Sequence, residues 1–308
     1  MRLKNRKESV GNGFLFPFMQ ETIVQLQTLG KTRTSETYQS ALSSFMRFRN
    51  GKDVLISNIK DEMIVAYESC LIASGLSSNT TSFYMRILRA VYNRAVKQGL
   101  TRQKYPFKYV YTGVAKTRKR AVEISVVSRL AEMDLDKNPS AALARDMFLF
   151  SFYTRGMSFV DMAYLRKSDL SHGVLTYRRR KTGQTLFIKW EKCMEDIVAN
   201  YDNPSSIYLL PIITPGETDE RQQYVNMSHN INRSLKSLGK RMGLTMPLTM
   251  YVARHTWANA ARQKKIPLSV ISEGMGHTSE MTTRIYLSSL DADIIDKANR
   301  KILGSLMI

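Results

Sequence analysis

One stretch divides the chain. From Lys108 to Ala121 it reads KYVYTGVAKTRKRA, five cations and no acid, with Pro106 just before it and Gly113 inside it. No helical or strand period runs through it, so it reads as a linker between two domains. At 308 residues the chain is long enough for two domains of ordinary size. Residues 1–107 carry a net +9, the linker +5 and residues 122–308 the remaining +6. A total of +20 points to a polyanionic partner, and nucleic acid comes before an anionic membrane because no basic amphipathic anchor or lipidation motif stands out. A connector kept solvated by its own charge is an equally good reading of the linker taken alone.

Four helical patterns precede the linker. Residues 17–29 space Phe18, Ile23, Leu26 and Leu29 on one side, and Ser35 is placed to cap a helix carrying Tyr38, Ala41, Leu42, Phe45 and Phe48. Residues 59–72 form a third. Residues 79–98 are the clearest: Phe83, Ile87, Leu88, Val91, Tyr92 and Ala95 make one stripe, while Arg86, Arg89, Arg94 and Lys97 point elsewhere. That cationic face is either a solvated surface or a contact for the polyanion.

After the linker, helices are predicted over 124–133 and 140–152, the second nearly all apolar at MFLFSF and therefore central and buried. Between Val174 and Trp190 the period changes to that of strands, two runs around KTGQ with Gly183 supplying the turn. Residues 204–223 read as an irregular loop, and helical patterns resume to the end. The fold expected is mainly α, with a small β-hairpin or sheet in the second domain. The domain limits are 1–107, the linker 108–121, and 122–308.

Several chemistries lose their support. Cys70 and Cys193 have no CxxC partner or nearby His, which disfavours zinc and a disulfide framework and suits a reducing, cytoplasmic setting. There is no signal peptide, no apolar run of spanning length, no GxxxxGK[ST] and no HExxH. Asp291, Asp293 and Asp296 cluster, but their spacing does not put three carboxylates on one helical face, so a two-metal nuclease is disfavoured. No metal and no cofactor are expected.

What remains is an ordered set. Arg155 follows the buried helix, where it either ends the helix or is held to bind an anion. Lys181 sits at the hairpin turn. LTMYVARHTWANAAR places Arg254 and His255 on a helix whose buried side is Trp257, Ala258 and Ala261, and GMGHTSEMTTRIYL carries His277 and, nine residues later, Tyr286.

With these residues in view, the chain resembles the tyrosine recombinases, the phage integrase and Xer-like class of site-specific DNA recombinases, over essentially its whole length. ARHTWA followed by GMGHTSEMTTRIYL is the most specific part, the KTG turn supports it, and LSSNTTSFYMRILRAVYNRAVKQGL is typical of the last helix of the family's core-binding domain. The resemblance implies a two-domain C-shaped clamp, with a helical core-binding (SAM-like) DNA-binding domain and a catalytic domain ending in a C-terminal helix. It implies an enzyme that cleaves and rejoins DNA through a 3′-phosphotyrosyl intermediate, in integration, excision or inversion. Tyr286 is then the nucleophile, Arg155 and Arg254 clamp the scissile phosphate, Lys181 is the general acid, and His277 and His255 assist. Arg86, Arg89, Arg94 and Lys97 of the first domain, with Lys116, Arg118, Lys119 and Arg120 of the linker, become the DNA contacts. The partner is double-stranded DNA with a specific core site, bound by a dimer per site and a tetramer in synapsis, with room for an accessory DNA-bending protein and no membrane. A type IB topoisomerase shares the chemistry, and a regulator could keep the scaffold without it.

The physics agrees with those roles. Guanidiniums make bidentate, permanently charged contacts to nonbridging oxygens, and a cation that can release a proton stabilises a departing alkoxide. A tyrosyl ester keeps the bond energy for rejoining. Two departures stand out. The family's histidine three residues before the second arginine is Tyr251 here, a donor but a poor base. The family's acidic residue about three positions after the first arginine is here Asp161, six after Arg155. The start of the chain shows no separate arm-binding module, which favours a simple recombinase such as an invertase. The tail, with Ile294, Ile295, Ala298, Ile302 and Leu303 at helical spacing, packs either on its own domain or on a neighbour.

Overall fold

The computed structural model describes residues 13–115, 120–216 and 219–287, the side chains of Ile285 and Tyr286 excepted. The chain forms two compact units, Met1–Thr117 and Arg118–Ile308. The Asp291, Asp293, Asp296 cluster, the tail helix pattern, and Lys116, Arg118 and Lys119 lie outside the described residues.

The first unit holds α1 (Leu15–Thr28), α2 (Thr32–Phe48), α3 (Asp61–Ala73) and α4 (Ser78–Lys97). Its core joins Phe18, Met19 and Ile23 of α1 to Phe45 of α2, Tyr67 of α3 and Leu88, Val91 and Tyr92 of α4. Phe45 meets Tyr67 edge-on at 5.0 Å. The Tyr67 hydroxyl donates to Ser44 Oγ at 2.8 Å, and burial pushes this phenol up to about 12. Ser77 caps α4 by accepting from the Thr80 amide. The apolar stripe of α4 is buried as its spacing predicts, apart from Phe83, which is half-buried. Ser35 is not a cap: α2 begins three residues earlier, and the Ser35 hydroxyl, buried inside its first turn, donates to the Thr32 carbonyl. A serine within a helix can satisfy its hydroxyl this way, which hides the true start from a cap search.

The second unit holds α5 (Ile124–Ala131), α6 (Pro139–Tyr153), α7 (Phe159–Ala163), β1 (Leu170–Ser171), β2 (Val174–Arg178), β3 (Thr185–Lys189), α8 (Lys192–Ala199), α9 (Glu220–Arg241), α10 (Met250–Gln263), α11 (Leu268–Gly274) and α12 (Glu280–Leu287). Asn138 caps α6 and Pro139 takes its first turn, where the missing amide costs nothing. Met147, Phe148 and Phe150 of α6 are fully buried, each contributing about 1.5–3 kcal/mol by leaving water, and α6 packs against α9 and α10. The strands form one antiparallel sheet in the order β1-β2-β3, with Leu175 opposite Ile188 and Tyr177 opposite Leu186. Those four side chains point inward, as a period of two requires. β1 is an addition to the expected hairpin; at two residues it carries no period to read.

Candidate active site

The site is built around the start of α10. Asn232 of α9 accepts from the Met250 amide at 2.9 Å, so α9 fixes where α10 begins. Arg254, one turn in, is 6% exposed. Its Nη1 donates to the Gly156 carbonyl at 2.6 Å and its Nη2 to the Met275 carbonyl at 2.7 Å. Nη2 also lies 3.0 Å from His277 Nε2. A buried guanidinium is costly unless its donors are met, and here backbone carbonyls from two loops meet them and aim the group.

Two glycines make the approach possible. At Gly156, with φ +74, a Cβ would come within 2.7 Å of the Arg254 Cα, so only glycine lets α10 lie this close. At Gly276, with φ +63, a Cβ would strike the Arg179 side chain at 2.7 Å. Arg179, 5% exposed, is thereby threaded beneath the loop and donates from Nη1 to the Gly276 carbonyl. Its Nε stands 3.9 Å from Asp161 as an ion pair without a hydrogen bond, and Asp161 accepts from the Arg180 amide at 2.9 Å and the Ser158 hydroxyl at 2.6 Å. Asp161 thus fixes the backbone that carries Arg179.

These residues border a cleft of about 830 Å³. Arg179, Lys181, Lys236 and Arg254 line it with His229, Tyr251 and His277, and among the described residues no carboxylate does. The alternation of β2 continues into the turn. Arg179 and Lys181 face this cleft, while Arg178 and Arg180 line a separate one, where Arg180 stacks on Tyr164 at 3.5 Å. His277 Nδ1 lies 2.7 Å from Thr283 Oγ1. Burial, then the charges of Arg254, Arg179 and Lys181, push His277 down to about 4, so it is neutral at physiological pH.

Four of the residues singled out from sequence, Lys181, Tyr251, Arg254 and His277, therefore share one cleft. Lys181 is exposed at the turn. Tyr251 is half exposed, its ring edge-on to His255 at 4.4 Å with the Arg120 guanidinium 5.9 Å from its centroid. His255 is not among the cleft-lining residues; burial, then Arg120 and Arg254, push it down to about 4. Arg155 also lies outside the lining. It sits just past the end of α6 with φ +61, where the Gly156 amide closes the helix on the Ser151 carbonyl at 2.7 Å, and its side chain runs past Gly274. Its left-handed backbone thus ends α6.

Tyr286 lies on α12, three residues after the fully buried Thr283. On α4, Arg86 and Lys97 are exposed, Arg89 bonds Thr112 at 2.9 Å, and the half-buried Arg94 bonds Gln25. Arg120 is exposed. Sequence reasoning passed over Arg179, Lys236 and Thr283. For Arg179 a signal existed, since a period of two through RRRK puts it on the side of Lys181. Among the described residues no group of three or more His, Cys, Asp or Glu side chains is placed to hold a metal, and no helix is long and apolar enough to cross a membrane.

The comparisons with known proteins agree on both units. Residues 14–111 match the phage integrase SAM-like domain, and residues 125–293 match the phage integrase family. Among curated protein sequences none matches. Among solved structures the chain is similar to a lambda integrase dimer bound to a COC′ core site, with a TM-score of 0.66 and 16% identity, covering 89% of this chain and 77% of that one. It is also similar to a lambda integrase tetramer bound to a Holliday junction, with a TM-score of 0.65 and 16% identity, covering 91% and 84%. A Tn1549 transposon integrase in complex with a circular intermediate DNA gives 0.63 at 14% identity, covering 92% and 99%. At such identities these likenesses concern the fold.

Proposed function

Because the chain belongs to the phage integrase family, its activity is the breaking and rejoining of DNA as a tyrosine recombinase, and we propose that the Arg254 cleft is where one DNA phosphate reacts. The observation that carries this reading is a cleft with four cations and no described carboxylate, in which Arg254 is buried and pre-aimed by two carbonyls. Such a site favours an anion, and most of all one gaining charge in a transition state. The phenol oxygen of Tyr286 attacks phosphorus, the P–O5′ bond breaks, and Lys181 gives its proton to the departing 5′ oxygen. Arg254 and Arg179 hold the nonbridging oxygens, and Tyr251 donates a further hydrogen bond. Arg155 and His255 act from behind, through the helix end and through α10.

The exposed cations of α4, Arg86, Arg89 and Lys97, track the duplex backbone, as does Arg120. A dimer per core site and a tetramer in synapsis follow the assemblies of the lambda integrase structures. Inversion, excision and integration differ only in how two sites are arranged, so one site serves all three.

A duplex core site nicked near the cleavage point, so that the short product strand escapes, tests the reading. The wild-type protein is expected to accumulate a covalent adduct mapped by peptide sequencing to Tyr286. Tyr286→Phe is expected to bind equally well and form none. An adduct that survives in Tyr286→Phe sinks the assignment, and no adduct from the wild-type protein sinks the activity at that site.

A further inference from the structure

We infer that Thr283 is a positioning residue, which sets the nitrogen of His277 that carries the proton and keeps the lone pair of Nε2 turned toward Arg254 and the cleft. The inference deepens the recombinase reading and rests on it for its catalytic meaning. A guanidinium has donors only. With Arg254 Nη2 at 3.0 Å, His277 Nε2 must therefore accept. In a neutral ring the proton then sits on Nδ1, and Thr283 Oγ1, 2.7 Å away, must accept from it. An imidazolium would set an N–H against the guanidinium, which fits a ring whose basicity is lowered by burial and by Arg254, Arg179 and Lys181.

Thr283 is fully buried, so no solvent water competes with His277 for its hydroxyl oxygen. It also stands on α12 three residues before Tyr286, so the two positions are neighbours on the helix surface. One hydrogen bond thus does two things: it orients the histidine, and it registers the nucleophile's helix against the arginine. When Arg254 Nη2 exchanges His277 for a phosphate oxygen, its bonds to the Gly156 and Met275 carbonyls kept, the released Nε2 lone pair takes the proton that the Tyr286 phenol gives up as its O–P bond forms. The resulting imidazolium keeps its Nδ1–H on Thr283, while the 5′ oxygen leaves with the proton of Lys181.

Threonine and valine have nearly the same shape, so Thr283→Val removes the acceptor and little else. The test is nitrogen NMR of the full chain labelled with ¹⁵N-histidine, without DNA, paired with adduct formation on the nicked substrate. The four histidines allow assignment through His277→Gln. The expected wild-type spectrum at neutral pH shows a pyrrole-type Nδ1 and a pyridine-type Nε2 for His277. Thr283→Val is expected to shift the ring toward the Nε2–H form and slow adduct formation about 10- to 100-fold, short of losing a general base entirely. Thr283→Ser restores both. A wild-type ring protonated at Nε2 overturns the inference. So does a folded Thr283→Val protein with an unchanged spectrum, or one whose spectrum changes while its cleavage rate does not. If Thr283→Val fails to fold, Thr283→Ala takes its place and the wild-type spectrum still decides the tautomer. Failure of the wild-type protein to form any adduct, with the expected tautomer present, strikes the recombinase reading and not the tautomer assignment.

Discussion

The two units hold their cations in opposite ways. In the second, Arg179 and Arg254 are almost wholly buried, tied to the carbonyls of Gly276, Gly156 and Met275. In the first, Arg86 and Lys97 stand in solvent along α4. Burying a guanidinium means giving up its hydration, which is worthwhile only where one fixed geometry matters. A solvated side chain costs little, adapts to many phosphates and is screened by salt. On the proposed reading the difference separates chemistry on a single phosphate from affinity for a duplex, and each half of it can be attacked.

The largest effect is expected from Arg254→Gln: adduct formation at saturating protein falls by about 10²–10³, as for loss of a donor to a developing oxyanion, while affinity at low salt barely changes. Arg254→Lys is expected to recover little, because an ammonium lacks the planar fork that spans two carbonyls. Loss of affinity rather than rate would break the comparison. Next comes Lys181→Met, expected to cost about 10² in rate, the lower range for general acid catalysis. A substrate whose 5′ oxygen is replaced by sulfur, a better leaving atom, should restore that rate; no rescue would remove Lys181 from the role.

Smaller effects follow in the first unit. Replacing Arg86, Arg89 and Lys97 together by glutamine should leave the saturated rate alone and reduce the salt slope of binding by about 0.9 for each phosphate that is no longer neutralised. A changed saturated rate with an unchanged slope would contradict the division. The smallest effect is on pH. His255 and His277 are both lowered to about 4 in the fold, against 6.5 for an ordinary histidine. Between those values the unfolded chain binds more protons than the folded one, so these rings make the protein less stable as pH falls through that window. Thermal melts of His255→Gln and His277→Gln should show a shallower loss over the same range. Neither ring should bend the cleavage rate near neutrality.

How much the sequence discloses depends on the length of the pattern. α4 and the paired strands were legible because period and turn residues agree over many positions, and ARHTWA with GMGHTSEMTTRIYL located Arg254 and His277 directly. Ser35 misled because its hydroxyl bonds inside a helix. Arg179 was hidden because an arginine in a run of cations looks solvated. Its burial depends on Gly276, 97 residues away, closing over it. Arg155 shows the complementary limit: its place at a helix end is legible, but the run of its side chain past Gly274, far along the chain, is not.

The alternation through Arg178, Arg179, Arg180 and Lys181 has a consequence for variation. Deleting Arg178, the last residue of β2, would leave Leu175 and Tyr177 inward but exchange the two sides of the turn, and Arg180 would then face the Arg254 cleft. Its electrostatic attraction would persist while the threading under Gly276 was lost. A frame slip at this point would therefore yield a protein that still captures its target and no longer turns over, a dominant competitor made by a three-nucleotide change.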